Sequence, residues 1–469
     1  MKQIIYLFLF YFLTILSFED HYRNAKEHKK NIAVIGTGYV GLVLGACLAD
    51  FNHNVTCADI DEKKIDSLRN SIIPIYEPGL DILVSRNIKT GNLSFSTNIG
   101  EAIKNNEIIF VAVNTPMAED GKANIDAVKS VAKTIGKNLN EYKLICMKST
   151  VPVGTSNLVK QIIGENCSNN ITFDIVNNSE FLREGSAILD FIKPDRVVIG
   201  AENERAFALM EEVYFPFIER NVPFVLTDLL SAETIKYASN SFLAVKISFI
   251  NEMAKLCDIT GANIDAVAKG MGLDHRIGPE FLKPGPGFGG SCFPKDTQAL
   301  LYTAASNGLD LKVIRAAIDV NEEQVNYIFK KILKFFDGNL KNKNITILGL
   351  SFKPNTDDVR YSPAITIMEK LKTFGANIKA YDPIAMDNMK REIHDIEYCA
   401  NEYDALENSD CAVILTEWQE FKELDWNKIK KLMKNHFVVD ARNIVDIKIL
   451  NDLNFKYSNI GNSRKINFT

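Results

Sequence analysis

The chain lacks a low-complexity tract, a long linker and any closely spaced pair of cysteines. It also lacks charge excess: 54 Lys and Arg stand against 59 Asp and Glu, a net charge of −5. Without a basic footprint, a nucleic-acid partner is not expected. The eight cysteines (47, 57, 146, 167, 257, 292, 399 and 411) form no Cys-x-x-Cys pair, which argues against both a zinc ribbon and a disulfide framework. The six histidines have no metal-ligand spacing, so no metal is expected. These absences describe a reduced, cytoplasmic protein. Long hydrophobic runs are missing too, apart from Ile4 to Phe18 behind Lys2. That run falls short of the roughly 20 residues that span a bilayer, and no A-x-A-like cleavage site follows it. Residues 1–30 therefore read as a dispensable extension, with a membrane tether as the less favoured alternative.

What is present is globular: 46% hydrophobic residues in 469, enough for two to four domains. From Asn31 the pattern runs strand (Ile32 to Ile35), turn GTGYVG (Gly36 to Gly41), small-residue helix through Cys47, and second strand Val55 to Ala58 ending at Asp59. This is a βαβ unit. Apolar runs at Ile108 to Val113, Leu144 to Met147, Phe173 to Val176, Val197 to Ile199 and Phe224 to Leu226 extend it to a sheet of about eight strands. The first domain is placed at 31–220. The central domain is placed at 221–338, and from Leu229 to about 338 it contains no convincing strand; the stretch from Ser231, an N-cap candidate, to Cys257 predicts one long helix of the kind that pairs subunits. A second long helix is expected to begin near Asp296. In 339–469 the opening pattern recurs, NITILGLSFKP and NIKAYDP mirroring NIAVIGTGYVG and NVTCADID. The expected fold class is α/β: two Rossmann-like doubly wound domains joined by a long-helix central domain, with ligands in a cleft at the strand C-termini.

GTGYVG alone is a common glycine-rich turn. Here a strand precedes it, a helix follows, and Asp59 closes the next strand 23 residues after Gly36. That context holds a pyrophosphate on a helix N-terminus and a ribose diol on a carboxylate, which disfavours a 2′-phosphate; the expected cofactor is NAD. KSTVPVG places Ser149 and Thr150 at the sheet's C-terminal edge, where hydroxyls can bind a ribose, position a water, or simply end a strand. NSEFLREG carries Glu180 and Glu184, which could equally be solvated carboxylates. Lys236 and Asn240 stand one turn apart on the long helix, flanked by apolar residues, and could stabilise an oxyanion. GFGGSCFPKD sets Cys292 between a glycine-lined cradle and Lys295-Asp296, so its sulfur could attack a carbonyl while Asp296 handles protons. In the last domain Lys353, Arg360 and Arg442 are cations suited to phosphate, and Arg276 is a further candidate or a surface residue.

In this order, GTGYVG, VNTP, KSTVPVG, EFLREG, the Lys236/Asn240 helix, FLKPGPGFGGSCFPKD and GLSFKPNTDDVR resemble the UDP-glucose/GDP-mannose dehydrogenase family over about Asn31 to Asn443. GFGGSCFPKD is similar to its UDP-glucose branch. The resemblance makes Cys292 the nucleophile, Lys236 and Asn240 oxyanion stabilisers, and Asp296 a general base or water activator. Thr150, Glu180 and Glu184 would order water and substrate. It assigns Gly36, Gly38, Gly41, Asp59, Thr115, Ser149, Lys295 and Arg360 to NAD. Phe281, Lys283, Gly289, Lys353 and Arg442 go to the nucleotide sugar along with Glu184, Lys236 and Asn240, and Arg276 reaches the partner subunit's site. Ser179 departs from the family's usual proline before the glutamate.

The activity so implied is four-electron oxidation of UDP-glucose at C6 to UDP-glucuronate, with two NAD and a cysteine-bound thiohemiacetal and thioester, in a homodimer or higher homo-oligomer. GDP-mannose or another nucleotide sugar is the alternative substrate. A two-electron hydroxyacid dehydrogenase would leave the thiol and the third domain idle. A non-catalytic nucleotide-sugar scaffold is disfavoured by the intact Cys292, Lys236, Asn240 and Asp296.

Overall fold

The structure is a computed structural model that describes residues 28–168 and 171–462. The apolar run Ile4 to Phe18 lies outside the described residues, and so does any role for it. The chain forms two compact units: one runs through Ala118 and resumes from Ala123 to Lys236, and the other combines Glu119–Lys122 with the chain from Tyr237 onward.

The first unit is built on eight strands: β1 (Asn31–Ile35), β2 (Asn54–Ala58), β3 (Leu93–Ser96), β4 (Ile108–Val111), β5 (Lys143–Met147), β6 (Phe173–Asn177), β7 (Val197–Ala201) and β8 (Phe224–Thr227). Their order is β3-β2-β1-β4-β5-β6-β7-β8, parallel throughout except for the antiparallel β6–β7 pair. Alternate residues of the same strands feed two separate cores, Ile32, Val34 and Phe110 on one face and Ala33, Ile35, Ile109 and Val111 on the other. Burial on both faces is why β4 and β5 read as unbroken apolar runs. Even Lys143 at the start of β5 is buried, its ammonium donating to the Lys104 carbonyl and to Glu141. Strand order reverses between β1 and β4, the place where such sheets receive ligands. The last strand, β8, lies beyond residue 220.

One helix, Leu229–Thr260, contains the boundary between the units. Ser231 is not its N-cap: the Asp228 carboxylate accepts from the Ser231 amide at 2.8 Å and from its hydroxyl at 2.6 Å. A carboxylate three residues ahead of a free helical amide caps it more directly than the serine could from inside the first turn. In the second unit this helix is followed by Ile264–Gly272, Phe293–Ser306 and Lys312–Phe335, and no strand forms among the described residues until Asn344. Then comes an all-parallel six-stranded sheet of β9 (Asn344–Leu348), β10 (Asn377–Tyr381), β11 (Glu397–Tyr398), β12 (Cys411–Ile414), β13 (Phe437–Asp440) and β14 (Lys456–Asn459), ordered β11-β10-β9-β12-β13-β14. The fold is thus α/β, with two doubly wound sheets and a long intervening helix. All eight cysteines are free thiols.

Candidate active site

In the first unit the turn after β1 is shaped by what its glycines exclude. Gly36 has φ +101°, and a Cβ there would stand 2.7 Å from the Ala112 carbonyl oxygen; one on Gly41 would stand 2.0 Å from the Gly36 oxygen. Gly38 precedes the helix Tyr39–Asp50 with no side-chain cap, so no side chain competes for the first helical amides. This geometry fits a pyrophosphate. Asp59, at the end of β2, accepts from the amide and hydroxyl of Thr37, both at 2.8 Å, and from Lys64 at 3.2 Å. Burial pushes its carboxyl up, but the Thr37 and Asp61 hydrogen bonds and the Lys64 charge outweigh this and hold it below the usual range.

At the C-terminal edge of β4, β5 and β6 the structure gathers the predicted Thr115, Ser149, Thr150 and Glu180, with Lys236 of the long helix paired to the last. Thr115 donates to the Thr150 carbonyl at 2.9 Å and Ser149 to the Val113 carbonyl at 2.7 Å, so the VNTP and KSTVPVG loops lie side by side. Glu180 and Lys236 form a buried ion pair of 2.9 Å, with side-chain exposures of 5% and 3%. The Leu182 amide also donates to Glu180 at 2.6 Å. Burial raises the Glu180 carboxyl, but Lys236, foremost, with the Leu182 amide and Lys148 brings it below its ordinary value. Lys148 was not singled out by sequence. It is buried, donates to Asn178 at 3.0 Å, and desolvation together with the Lys236 charge lowers it to about 8 despite the opposing pull of Cys146 and Glu180. Glu233, one turn before Lys236, accepts from the amides of Gly154 and Ser156 at 2.6 and 2.7 Å and so fastens KSTVPVG to the long helix.

In the second unit Cys292 is the N-cap residue of the helix Phe293–Ser306, half-buried, with Ser291 Oγ 3.6 Å from its sulfur. One turn on, buried Asp296 accepts from Asn240 at 2.7 Å and pairs with Lys295. Asn240 and Asp296, 56 residues apart in sequence, therefore meet. The loop before Cys292 is held by three buried or half-buried amides. Asn321 accepts from the Phe288 amide at 2.7 Å and donates to its carbonyl at 3.1 Å; Asn251 accepts from the Gly285 amide and Gln324 donates to the Gly285 carbonyl. None of the three was found in the sequence. The available signal was Asn321 and Gln324 at helical spacing on the inward stripe of Lys312–Phe335, where polar residues demand a partner. The other side of the loop is a close backbone approach: a Cβ on Gly289 would stand 2.3 Å from the Tyr361 carbonyl, and the Gly290 amide donates to the Arg360 carbonyl. Phe281, at φ +62°, packs its ring against Phe293.

The predicted cations of the second unit have varied surroundings. Arg442 donates to the carbonyls of Leu415 and Phe352 and pairs with Glu417 at 3.0 Å, alongside Gly285. Lys353 is half-buried, its ammonium near the Phe352 ring. Arg360 forks onto Asp358, and Arg276 onto Asp274 with its side chain 78% exposed. Lys283 is exposed. Among the described residues, the hydrogen bonds of Arg276 go to Asp274 and not to the Cys292 loop. Asp382, the counterpart of Asp59 in the repeated pattern, is fully buried and accepts from six donors: the amides of Leu350, Ser351, Ile384 and Ala385, the Ser351 hydroxyl and the Trp418 indole. Nothing of it is left for a ribose. Among the described residues, no three His, Cys, Asp or Glu side chains are arranged to hold a metal, and no helix is long and apolar enough to cross a membrane.

Three family models match in order: the NAD-binding domain over residues 30–218, the central domain over 230–323 and the UDP-binding domain over 346–447 of the UDP-glucose/GDP-mannose dehydrogenase family. The chain belongs to that family. The expected resemblance is thereby met across all three parts of the chain. Among relatives, it is 49% identical to the UDP-glucose 6-dehydrogenase TuaD of Bacillus subtilis over 92% of this chain and 93% of that protein. It is 45% identical to the UDP-glucose 6-dehydrogenase of Rhizobium meliloti over 92% and 99%. A solved UDP-glucose dehydrogenase from Pyrobaculum islandicum superposes with a TM-score of 0.84 at 37% identity, covering 90% of this chain and 96% of that one. As a family member the protein is an NAD-dependent dehydrogenase, and the glycine turn and Asp59 are the residues that fit its cofactor.

Proposed function

We propose that the protein oxidises the C6 hydroxymethyl group of UDP-glucose to the carboxylate of UDP-glucuronate, using two NAD and one water. NAD, held by Gly36, Gly38, Gly41 and Asp59, supplies the hydride acceptor for each of the two oxidations. The observation that carries the reading is a thiol at a helix N-terminus, one turn from a buried carboxylate that is itself fixed by Asn240 and Lys295. A two-electron dehydrogenase has no use for that sulfur.

Oxidation of an alcohol to an acid passes through an aldehyde, which must not escape between the two steps. Cys292 retains it: its sulfur adds to the aldehyde carbon, giving a thiohemiacetal, and the second oxidation leaves a thioester. The helix N-terminus favours negative charge on the sulfur, as attacker and as leaving group. Asp296 takes a proton from the water that cleaves the thioester, while Thr150, Glu180 and Glu184 order that water and the sugar. Lys236 and Asn240 stabilise negative charge on the C6 oxygen; one such donor is commonly worth about 3 kcal/mol of barrier. Thr115, Ser149, Lys295 and Arg360 are assigned to the cofactor; Phe281, Lys283, Gly289, Lys353, Arg442 and the subunit-crossing Arg276 are assigned to the nucleotide sugar. The helical stretch 221–338 is assigned to subunit pairing.

The test is stoichiometric. Wild-type protein should form two NADH per UDP-glucose consumed, with no comparable turnover of GDP-mannose. Cys292→Ser should form no UDP-glucuronate in a single turnover; acid formation at the wild-type rate in that variant would end the covalent scheme.

A further inference from the structure

Glu77 is a buried carboxylate, 5% exposed, that the chemistry above does not employ. It stands in the turn before the helix Leu80–Lys89. Its two oxygens serve two different functional segments. Oε2 accepts from the Gly185 amide at 2.6 Å and from the Tyr39 hydroxyl, and Oε1 accepts from the Ala187 amide at 2.7 Å. The same hydroxyl lies 2.9 Å from the Gly185 amide. Tyr39 is the first residue of the helix behind the glycine turn, between Gly38 and Gly41. Gly185, at φ +80°, follows Glu184 directly and ends the EFLREG loop. One carboxylate is thus bonded both to the cofactor turn and to the loop of the two glutamates. A buried charge is costly unless its acceptors are filled, and charge-assisted bonds to backbone amides are the strong kind, so this is a stiff junction rather than packing filler.

We propose that Glu77 is a positioning residue that fixes the glutamate loop against the cofactor turn. The proposal rests on the two-step reading given above. In that reaction the sugar stays on Cys292 while one reduced cofactor leaves and a fresh one enters. The loop carrying Glu180 and Glu184 must keep its geometry through that exchange, and Glu77 is what joins it to the segment being emptied and refilled.

The wild-type ratio of NADH to UDP-glucose tests the underlying reaction by itself and is measured first. Steady-state kinetics and thermal midpoints of Glu77→Gln and Tyr39→Phe then test the junction. Glutamine keeps the size but sets an amide NH2 against donors that need an acceptor; phenylalanine removes only a hydroxyl on the cofactor side. Glu77→Gln should raise the KM of both NAD and UDP-glucose by about tenfold, the loss of one buried charge-assisted hydrogen bond. Tyr39→Phe should raise the KM of UDP-glucose although it lies in the cofactor turn. A merely structural carboxylate would lower the thermal midpoint and leave both KM values within about twofold of wild type, which would overturn the proposal. So would a Tyr39→Phe protein altered in NAD KM alone. If Glu77→Gln does not fold, the cross-effect of Tyr39→Phe on UDP-glucose decides the matter.

Discussion

Lys236 and Glu180 illustrate how one residue sets the charge of another. Above pH about 4.5, the carboxyl's ordinary value, their pairing contributes stability that is lost as pH falls through the lower folded value. In Lys236→Ala, burial, already the largest single influence on Glu180, is no longer outweighed and the carboxyl rises, so the sign inverts: that variant loses stability as pH increases above about 4.5. Thermal midpoints should fall for the wild type as pH drops below about 4.5 and for the variant as pH climbs above about 4.5. The same substitution should lower kcat by about 100-fold, through loss of an oxyanion donor. At this scale the sequence was legible where side-chain chemistry is local to a motif, as with Cys292, Asp296 and Asp59. It was silent on Glu77, Glu233 and Asn251, because most of their partners are backbone amides on distant segments and backbone donors leave no trace in residue identity.

The glycine turn shows an element whose shape is set by excluded volume. A methyl group on Gly41 would meet the Gly36 carbonyl at 2.0 Å, too close for any rotamer change to relieve. Gly41→Ala should therefore weaken NADH binding by at least about 100-fold, read by quenching of protein fluorescence, and lower the thermal midpoint through the displaced helix. Elements were readable in proportion to their periodicity. β4 and β5 stood out as apolar runs, whereas β3, four residues with two serines, gave no signal and is recognised only through its pairing with β2. The start of the long helix was misplaced at Ser231 because serine is a good cap in isolation; Asp228, three residues earlier, competes for the same amide and wins.

Across the whole molecule, the strand–turn–helix–strand pattern occurs twice, yet the two copies differ where it matters. In the first, a carboxylate at the end of the second strand shares its oxygens with the turn; in the second, Asp382 is saturated by six internal donors and sealed from solvent. One NAD per chain is the expected binding stoichiometry by calorimetry, and a second site of similar affinity would contradict this reading of Asp382. The sequence conveyed the repetition, the strand-free middle and the cations of the last domain. It could not convey which of those cations are already engaged, since Arg442 and Arg360 are committed to carbonyls and carboxylates brought near by the fold.

Asp59 carries a consequence for how such a protein can change. Because its carboxylate also holds the amide and hydroxyl of Thr37, replacing it to admit a phosphorylated cofactor would unpin the turn in the same stroke. Cofactor switching in this chain is a two-residue problem at the least, and mutants at position 59 alone should emerge from selection as poor binders of either dinucleotide.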